Sequence, residues 1–305
     1  MSREQRAKID ALLRQPRSAE DPSVEEIRAG FRALMAQMNV PTEIRTRTTT
    51  LGTRPAVLVE PTAPSRPGTI LYFHGGGWVY GSPETAMPLT ANLVTRTGFR
   101  AFSLDYRLAP EHPFPAAIED TLNAYRALLD RGEAPSTIVF AGDSAGGGLT
   151  VTTCLAARDA GLPLPAALVA FSAGLDSTRS GESIDTKAGI DPLFTRESLE
   201  RTGAMYLAGQ DPHQPLLSPA VLADLHGFPP ILLQAGGNEM MLDDSTRLAA
   251  RARAADVDVI LDITADVPHV FQSFTGVLEE ADQALDRAAL FLSQHLRSPD
   301  TDEAP

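Results

Sequence analysis

The chain predicts an α/β protein, a mostly parallel central sheet with helices on both faces, and three observations carry that prediction. Apolar runs of strand length alternate with stretches of helical periodicity from residue 69 to residue 296, and such alternation implies parallel pairing. Parallel strands joined by helices form a sheet that is covered on both sides. The clusters of chemically active residues all fall where an apolar run ends, which is where ligands bind in sheets of this kind.

Length and composition agree with one large core. At 305 residues the chain exceeds the usual single-domain size, but α/β folds often run this long as a core with an appendage. Apolar content of 43% and charged content of 21% are ordinary for a globular protein, and no run of about 18 apolar residues predicts a membrane span. A net charge of −13 argues against nucleic acid, because binding phosphates requires a basic face. Lys8 and Lys187 are the only lysines, which disfavours Schiff-base chemistry. Cys154 is the only cysteine, so no internal disulfide forms, and it falls in the helix after residue 144, where a buried, inert thiol is expected. With a polar amino terminus that lacks the apolar core of a signal peptide, this predicts a cytoplasmic protein.

Along the chain, residues 1–40 read as two helices, the second opening at Asp21-Pro22 as N-cap and first helical residue. Val24, Ile27, Phe31, Leu34, Met35 and Met38 recur at helical spacing, and this face either packs on the core or acts as a lid in which Met35 and Met38 touch an apolar ligand. A hairpin follows, with strands over 42–50 and 56–60 around Leu51-Gly52-Thr53. The Pro-rich segment 61–67 is a turn. Strands are then expected at 69–74, 101–105, 137–141, 167–172, 230–235 and 257–263. Helices are expected in the 80s and 90s and at 115–131, 145–160, 243–255 and 278–296. Residues 173–218, rich in small, polar and proline residues with helical pattern only near 195–208, read as an insertion, and the tail 297–305 reads as disordered. The expected organisation is therefore two helices over 1–40, an α/β core over 41–172 and 219–296, and an insertion over 173–218.

The core is organised around VFAGDSAGGG at 139–148. An apolar strand ends, Ser144 sits between Gly142 and Gly146, and a helix starts at once. A serine in so tight a turn needs neighbours without Cβ atoms, and its hydroxyl then stands exposed at the carboxyl end of the sheet. The new helix directs its free amides and positive dipole end at the same place, where an oxyanion is held. This is the Gly-x-Ser-x-Gly nucleophile elbow. His74-Gly75-Gly76-Gly77-Trp78 follows the first long strand, and its unobstructed amides make it an oxyanion loop. Gly75, Gly76 and Ala145 are the expected donors, with Gly77 a less certain one. A base is needed late in the chain, since this architecture orders its triad as Ser, acid, His. Of the six histidines only His269 lies on the loop that follows the final strand, since His295 belongs to the terminal helix. The acid is expected at Glu239, in the loop after strand 230–235, with Asp243 as second choice, because Asp243 and Asp244 open a helix and suit capping.

Taken together, HGGGW at 74–78, DYRLAPEHPFPAA at 105–117, GDSAGGG at 142–148, GNEMMLDD at 237–244 and PHVF at 268–271 resemble the hormone-sensitive lipase family of bacterial esterases. The resemblance covers most of residues 42–296. It implies an α/β-hydrolase fold in which residues 41–172 and 219–296 are the catalytic core and residues 1–40 and 173–218 the two parts of a small helical cap, and it places the catalytic acid at Glu239, where the family usually has aspartate. A Ser-Pro-Trp type of sequence common in the family is replaced here by Ser172-Ala173-Gly174, so the rim of the pocket differs. The resemblance also makes Asp105, Tyr106, Arg107 and Glu111 a buried polar support beneath the glycine loop rather than a second active cluster. Some relatives pair through the last strand, so a homodimer is an expectation.

The function expected on this reading is a serine carboxylesterase acting on short- to medium-chain esters through an acyl-enzyme, with no metal or cofactor. A lactone or amide hydrolase is the alternative within enzymes, since the same triad opens those carbonyls. A non-catalytic small-molecule receptor is the alternative outside them, and the presence of Ser144, Glu239 and His269 disfavours it.

Overall fold

The structure, a computed structural model, describes residues 2–15 and 22–296. Asp21 and the tail 297–305, for which disorder is expected, lie outside the described residues. Two helices come first, α1 (Ser2–Leu13) and α2 (Val24–Met35), followed by the hairpin strands β1 (Ile44–Leu51) and β2 (Arg54–Pro61). The alternating section begins with β3 (Thr69–Phe73), α3 (Met87–Thr97), β4 (Arg100–Leu104) and α4 (Ala116–Asp130). It continues with β5 (Ile138–Asp143), α5 (Ala145–Asp159) and β6 (Ala167–Phe171). The insertion then contributes α6 (Ser183–Thr186) and α7 (Arg196–Leu207), and α8 (Pro219–Leu222) follows it. The chain closes with β7 (Ile231–Gly236), α9 (Leu242–Ala254), β8 (Val259–Thr264) and α10 (Glu279–His295).

All eight strands form one sheet in the order β1-β2-β4-β3-β5-β6-β7-β8. β1 pairs with β2 and β2 with β4 antiparallel, and every later pairing is parallel. The hairpin turns at Gly52, whose φ of +60° is open to glycine at little cost, and β1 and β2 pair from Leu51 opposite Arg54 outward. β3, β5, β6 and β7 are buried along their whole length, whereas the edge strands β1 and β8 keep exposed residues. Period-two alternation sorts the strand side chains between two helical layers. Ile138 and Phe140 of β5 pack with α4, α5 and α9, while Val139 and Ala141 pack with α3 and α10.

The amino-terminal helices and the insertion are tied down by side-chain bonds. α2 starts later than the Asp21-Pro22 expected from the sequence: Ser23 is its N-cap and Glu26 completes a capping box. The Glu26 carboxylate takes the Ser23 amide at 2.8 Å, and the Ser23 hydroxyl takes the Glu26 amide, so proline is placed before the cap rather than after it. The residues expected on the apolar face of α2 are all half-buried. Phe31 meets Tyr80 edge-on at 4.9 Å, Arg28 donates to the Val79 and Ala109 carbonyls, and the same guanidinium grips Glu111 through two bonds. α7 begins with a reciprocal cap between Thr195 and Ser198, and its Tyr206 ring stacks on Trp78 at 4.4 Å. Cys154 is fully buried and burial pushes its thiol up, as expected of an inert residue. Among the described residues no helix is long and apolar enough to cross a membrane.

Candidate active site

β5 ends at Asp143 and α5 begins at Ala145, leaving Ser144 alone in the turn at φ +53° and ψ −118°. Such a conformation costs a non-glycine residue about 1–3 kcal/mol, and the surrounding backbone holds it in place. The Ser144 amide donates to the Phe171 carbonyl at 2.8 Å, and its carbonyl takes the amides of Gly148 and Gly174. The flanking glycines are required sterically. A Cβ on Gly142 would lie 2.4 Å from the Gly146 carbonyl oxygen, and one on Gly146 would lie 1.9 Å from the Phe73 carbonyl oxygen. The elbow thus forms because β3, β5 and α5 approach more closely than any side chain permits.

His269 arrives on the loop after β8, 4% exposed, and its Nδ1 stands 2.5 Å from Glu239 Oε2. Glu239 is fully buried, and its other oxygen, Oε1, takes the Gly236 amide at 2.8 Å. A carboxylate on Nδ1 selects the tautomer with its proton there and leaves a lone pair on Nε2. His269 Nε2 is buried and has no hydrogen-bond partner. The loop itself is braced by the Val270 amide, which donates to the Ser172 hydroxyl at 2.9 Å. Asp243, the second choice for the acid, faces elsewhere: it takes the Ser183 amide at 2.8 Å and the Thr246 hydroxyl. Asp244 is buried and takes the Leu175 and Asp176 amides at 2.7 and 2.9 Å, while burial pushes its carboxyl up to about 7. Both aspartates therefore stitch the insertion to the start of α9, and Glu239 alone of the three reaches the imidazole.

The three glycines of the loop after β3 differ in their surroundings. Gly75 lies against Asp143, where a Cβ would fall 2.2 Å from Asp143 Oδ2. Gly77, left less certain by the sequence, lines the same cavity as Ser144 and Ala145. The reason lies in backbone direction: Gly76 at φ +121° and Gly77 at φ +58° turn the chain after Gly75 in a way no side-chain pattern reveals. Asp143 takes the Tyr72 hydroxyl at 2.8 Å, and burial, opposed by this bond, pushes its carboxyl up to about 6. Beneath the loop, the Tyr106 hydroxyl donates to the His74 carbonyl at 2.7 Å and its ring stacks on the His74 imidazole at 4.1 Å. Burial pushes His74 down to about 4, so it stays neutral. The rest of the expected polar support divides. Arg107 sits between Asp120 and Glu119, whereas Glu111 is exposed and is held by Arg28 of α2.

A cavity of about 30 Å³ opens beside Ser144. By its size it holds two or three waters at ~10–15 Å³ each. The core supplies Gly77, Trp78 and Ala145, and the insertion supplies Phe194, Leu199 and Thr202. Phe194 also packs edge-on against the His269 ring at 4.9 Å. Neither Met35 nor Met38 lines the cavity, and Met38 instead joins the apolar cluster around Phe271 and Phe274, so core packing is the role of that face. Met241 and Arg179 line it in their place. Sequence reasoning missed Phe194, Arg179 and Met241, because they reach the cavity through irregular segments with no periodicity to read.

The α/β hydrolase fold family model matches residues 70–273. The chain is 42% identical over 224 residues to an acetyl-hydrolase of Streptomyces hygroscopicus, covering 73% of this chain and 75% of that protein. It is 37% identical over 223 residues to an esterase of Acinetobacter venetianus, covering 73% of each. Among solved structures it is similar to an esterase from the bacterial hormone-sensitive lipase family, with a TM-score of 0.92, 40% identity and coverage of 96% of this chain and 99% of that one. A hormone-sensitive lipase from a metagenome library superposes with a TM-score of 0.92 at 39% identity, covering 96% and 98% of the two chains.

Proposed function

This chain belongs to the bacterial hormone-sensitive lipase family of α/β-hydrolases and is a serine carboxylesterase, and from that premise we propose that Ser144, His269 and Glu239 carry the reaction. His269 Nε2 takes the Ser144 hydroxyl proton as Oγ attacks the ester carbonyl carbon. The amides of Gly76 and Ala145, with that of Gly77, which lines the cavity, in place of Gly75, which lies against Asp143, hold the resulting oxyanion. When the C–O bond breaks, the proton passes from Nε2 to the departing alcohol oxygen and leaves an acyl-enzyme. His269 then deprotonates a water that attacks the acyl carbon, and the acid leaves as Ser144 regains its proton. Glu239 fixes the tautomer and stabilises the imidazolium that forms in each step.

The observation that carries this reading is the pair of ring nitrogens on His269, one clamped by Glu239 and the other buried without a partner. A non-catalytic receptor has no use for that arrangement. The small cavity supports short- to medium-chain acyl groups, and the insertion, whose Phe194, Leu199 and Thr202 line it, sets its size. Ser144→Ala is expected to lose turnover of a chromogenic short-chain ester and labelling by an organophosphate, and retained activity would remove the serine from the mechanism. A homodimer through the β8 edge is supported by the exposure of Ile260 and Ile263, 51% and 44%, and light scattering tests it. A cytoplasmic location fits the single buried thiol, and cell fractionation tests it.

A further inference from the structure

Arg179 lies on the insertion between β6 and α6, with φ +53°. Its loop is wound round one carboxylate: Asp176 takes the amides of Thr178 and Ser180 at 2.9 and 3.1 Å and both of their hydroxyls. The Asp176 carbonyl takes the Arg179 amide at 3.3 Å. This winding forces a left-handed backbone on a long side chain and directs its guanidinium into the cavity that holds Ser144.

The charge there is uncompensated by contact. Among the described residues Arg179 makes no ion pair, and its Nη1 has only the Met241 sulfur at 3.6 Å, a weak acceptor. Other arginines differ: Arg247 binds Asp176 at 3.1 Å and Arg28 binds Glu111 at 2.7 Å. Asp176, around which the Arg179 loop is wound, is therefore already taken. Asp244 feels the Arg179 charge but is occupied by two backbone amides, and its carboxyl, pushed up to about 7, is partly protonated at neutral pH. A half-buried guanidinium with five donors, in a chain of net charge −13, thus waits beside the nucleophile with only a thioether sulfur as acceptor.

We propose that Arg179 is a specificity-determining residue whose guanidinium receives a carboxylate borne by the ester, so that the enzyme selects anionic esters over neutral ones of the same shape. A carboxylate matches the planar fork and supplies the missing acceptors. The proposal rests on Ser144 as the nucleophile of an esterase. The carboxylate is carried either by the acyl group or by the alcohol, and the two arms of the test separate them.

The test measures kcat/KM for two isosteric pairs, monoethyl succinate against ethyl isocaproate and acetyl glycolate against isobutyl acetate. Arg179→Met is expected to lower the anionic-to-neutral ratio by about 10- to 100-fold for one pair, the worth of one charge-assisted hydrogen bond, with Arg179→Lys retaining part of it. The affected pair identifies the side that carries the carboxylate. In the unaltered enzyme the ratio for that pair falls as salt is raised, a readout that holds even where Arg179→Met fails to fold. Neutral esters turned over with a ratio indifferent to Arg179 and to salt would overturn this proposal alone. Loss of turnover for every ester would overturn the esterase mechanism and this proposal with it.

Discussion

Glu239 divides its two oxygens between His269 Nδ1, at 2.5 Å, and the Gly236 amide, at 2.8 Å. The division makes the acid intolerant of its amide. In Glu239→Gln the single remaining acceptor is claimed by the Gly236 N–H, which turns the amide NH₂ toward Nδ1 and selects the wrong imidazole tautomer. A fall in kcat of about 10³- to 10⁴-fold is expected at unchanged fold. Asp243→Asn, which disturbs only the bonds to Ser183 and Thr246, is expected to lower kcat by less than about ten-fold. Steady-state kinetics beside circular dichroism checks the order, and the reverse order would move the acid to Asp243.

Two glycines in helices make opposite predictions. Gly146→Ala places a methyl 1.9 Å from the Phe73 carbonyl oxygen, which only a shift of β3 or α5 relieves, so expression of folded protein is expected to fail. Gly30, within α2, has nothing within 4 Å of its would-be Cβ. Gly30→Ala is expected to stabilise by about 0.5–1 kcal/mol through the lost freedom of the unfolded chain. The yield of folded Gly146→Ala and urea unfolding of Gly30→Ala beside the parent chain check the two.

The buried Asp244 carboxyl, raised from 3.8 to about 7, links stability to pH. Between these values the folded chain keeps a proton that the unfolded chain has released, so stability falls as pH rises through the window and levels off above it. The full cost is up to about 4 kcal/mol on the scale of ~1.4 kcal/mol for each pH unit. Asp244→Asn keeps an acceptor for the Leu175 and Asp176 amides but carries no charge. Its stability relative to the parent chain is therefore expected to rise between pH 5 and pH 8, and a difference constant across that range would show that the carboxyl ionises normally.

The parts of the fold legible in the sequence are those where burial dictates composition. β3, β5, β6 and β7 are covered on both faces, so their apolar runs stand out, and the observed bounds fall within a residue or two of the expected ones. Ser144 and His269 were legible because each sits where a strand ends, and Glu239 because a carboxylate follows the strand before the last. The path of the glycine loop was hidden, since it depends on the positive φ values of Gly76 and Gly77 and on Gly75 lying against Asp143. Arg179 and Phe194 were hidden for a different reason. Both are placed by carboxylates that organise irregular backbone, Asp176 for one and Asp191 for the other, and such windings have no period.

Phe194 gives the last prediction. The buried Asp191 takes the Leu193 and Phe194 amides with one oxygen and the Met240 amide with the other, which ties the Phe194 loop to the residue next to Glu239. The ring so held fills one wall of the cavity and covers His269. Truncation in Phe194→Ala enlarges the room for an acyl chain while leaving the Asp191 bonds to the backbone intact. Each methylene that enters the new space is worth about 0.8 kcal/mol, or about four-fold in kcat/KM. The ratio of kcat/KM for hexanoate over acetate esters is therefore expected to rise in the variant, up to the volume the ring vacates. A ratio that stays the same would mean that the acyl chain does not run toward Phe194, and the small cavity would then have to limit the alcohol rather than the acid.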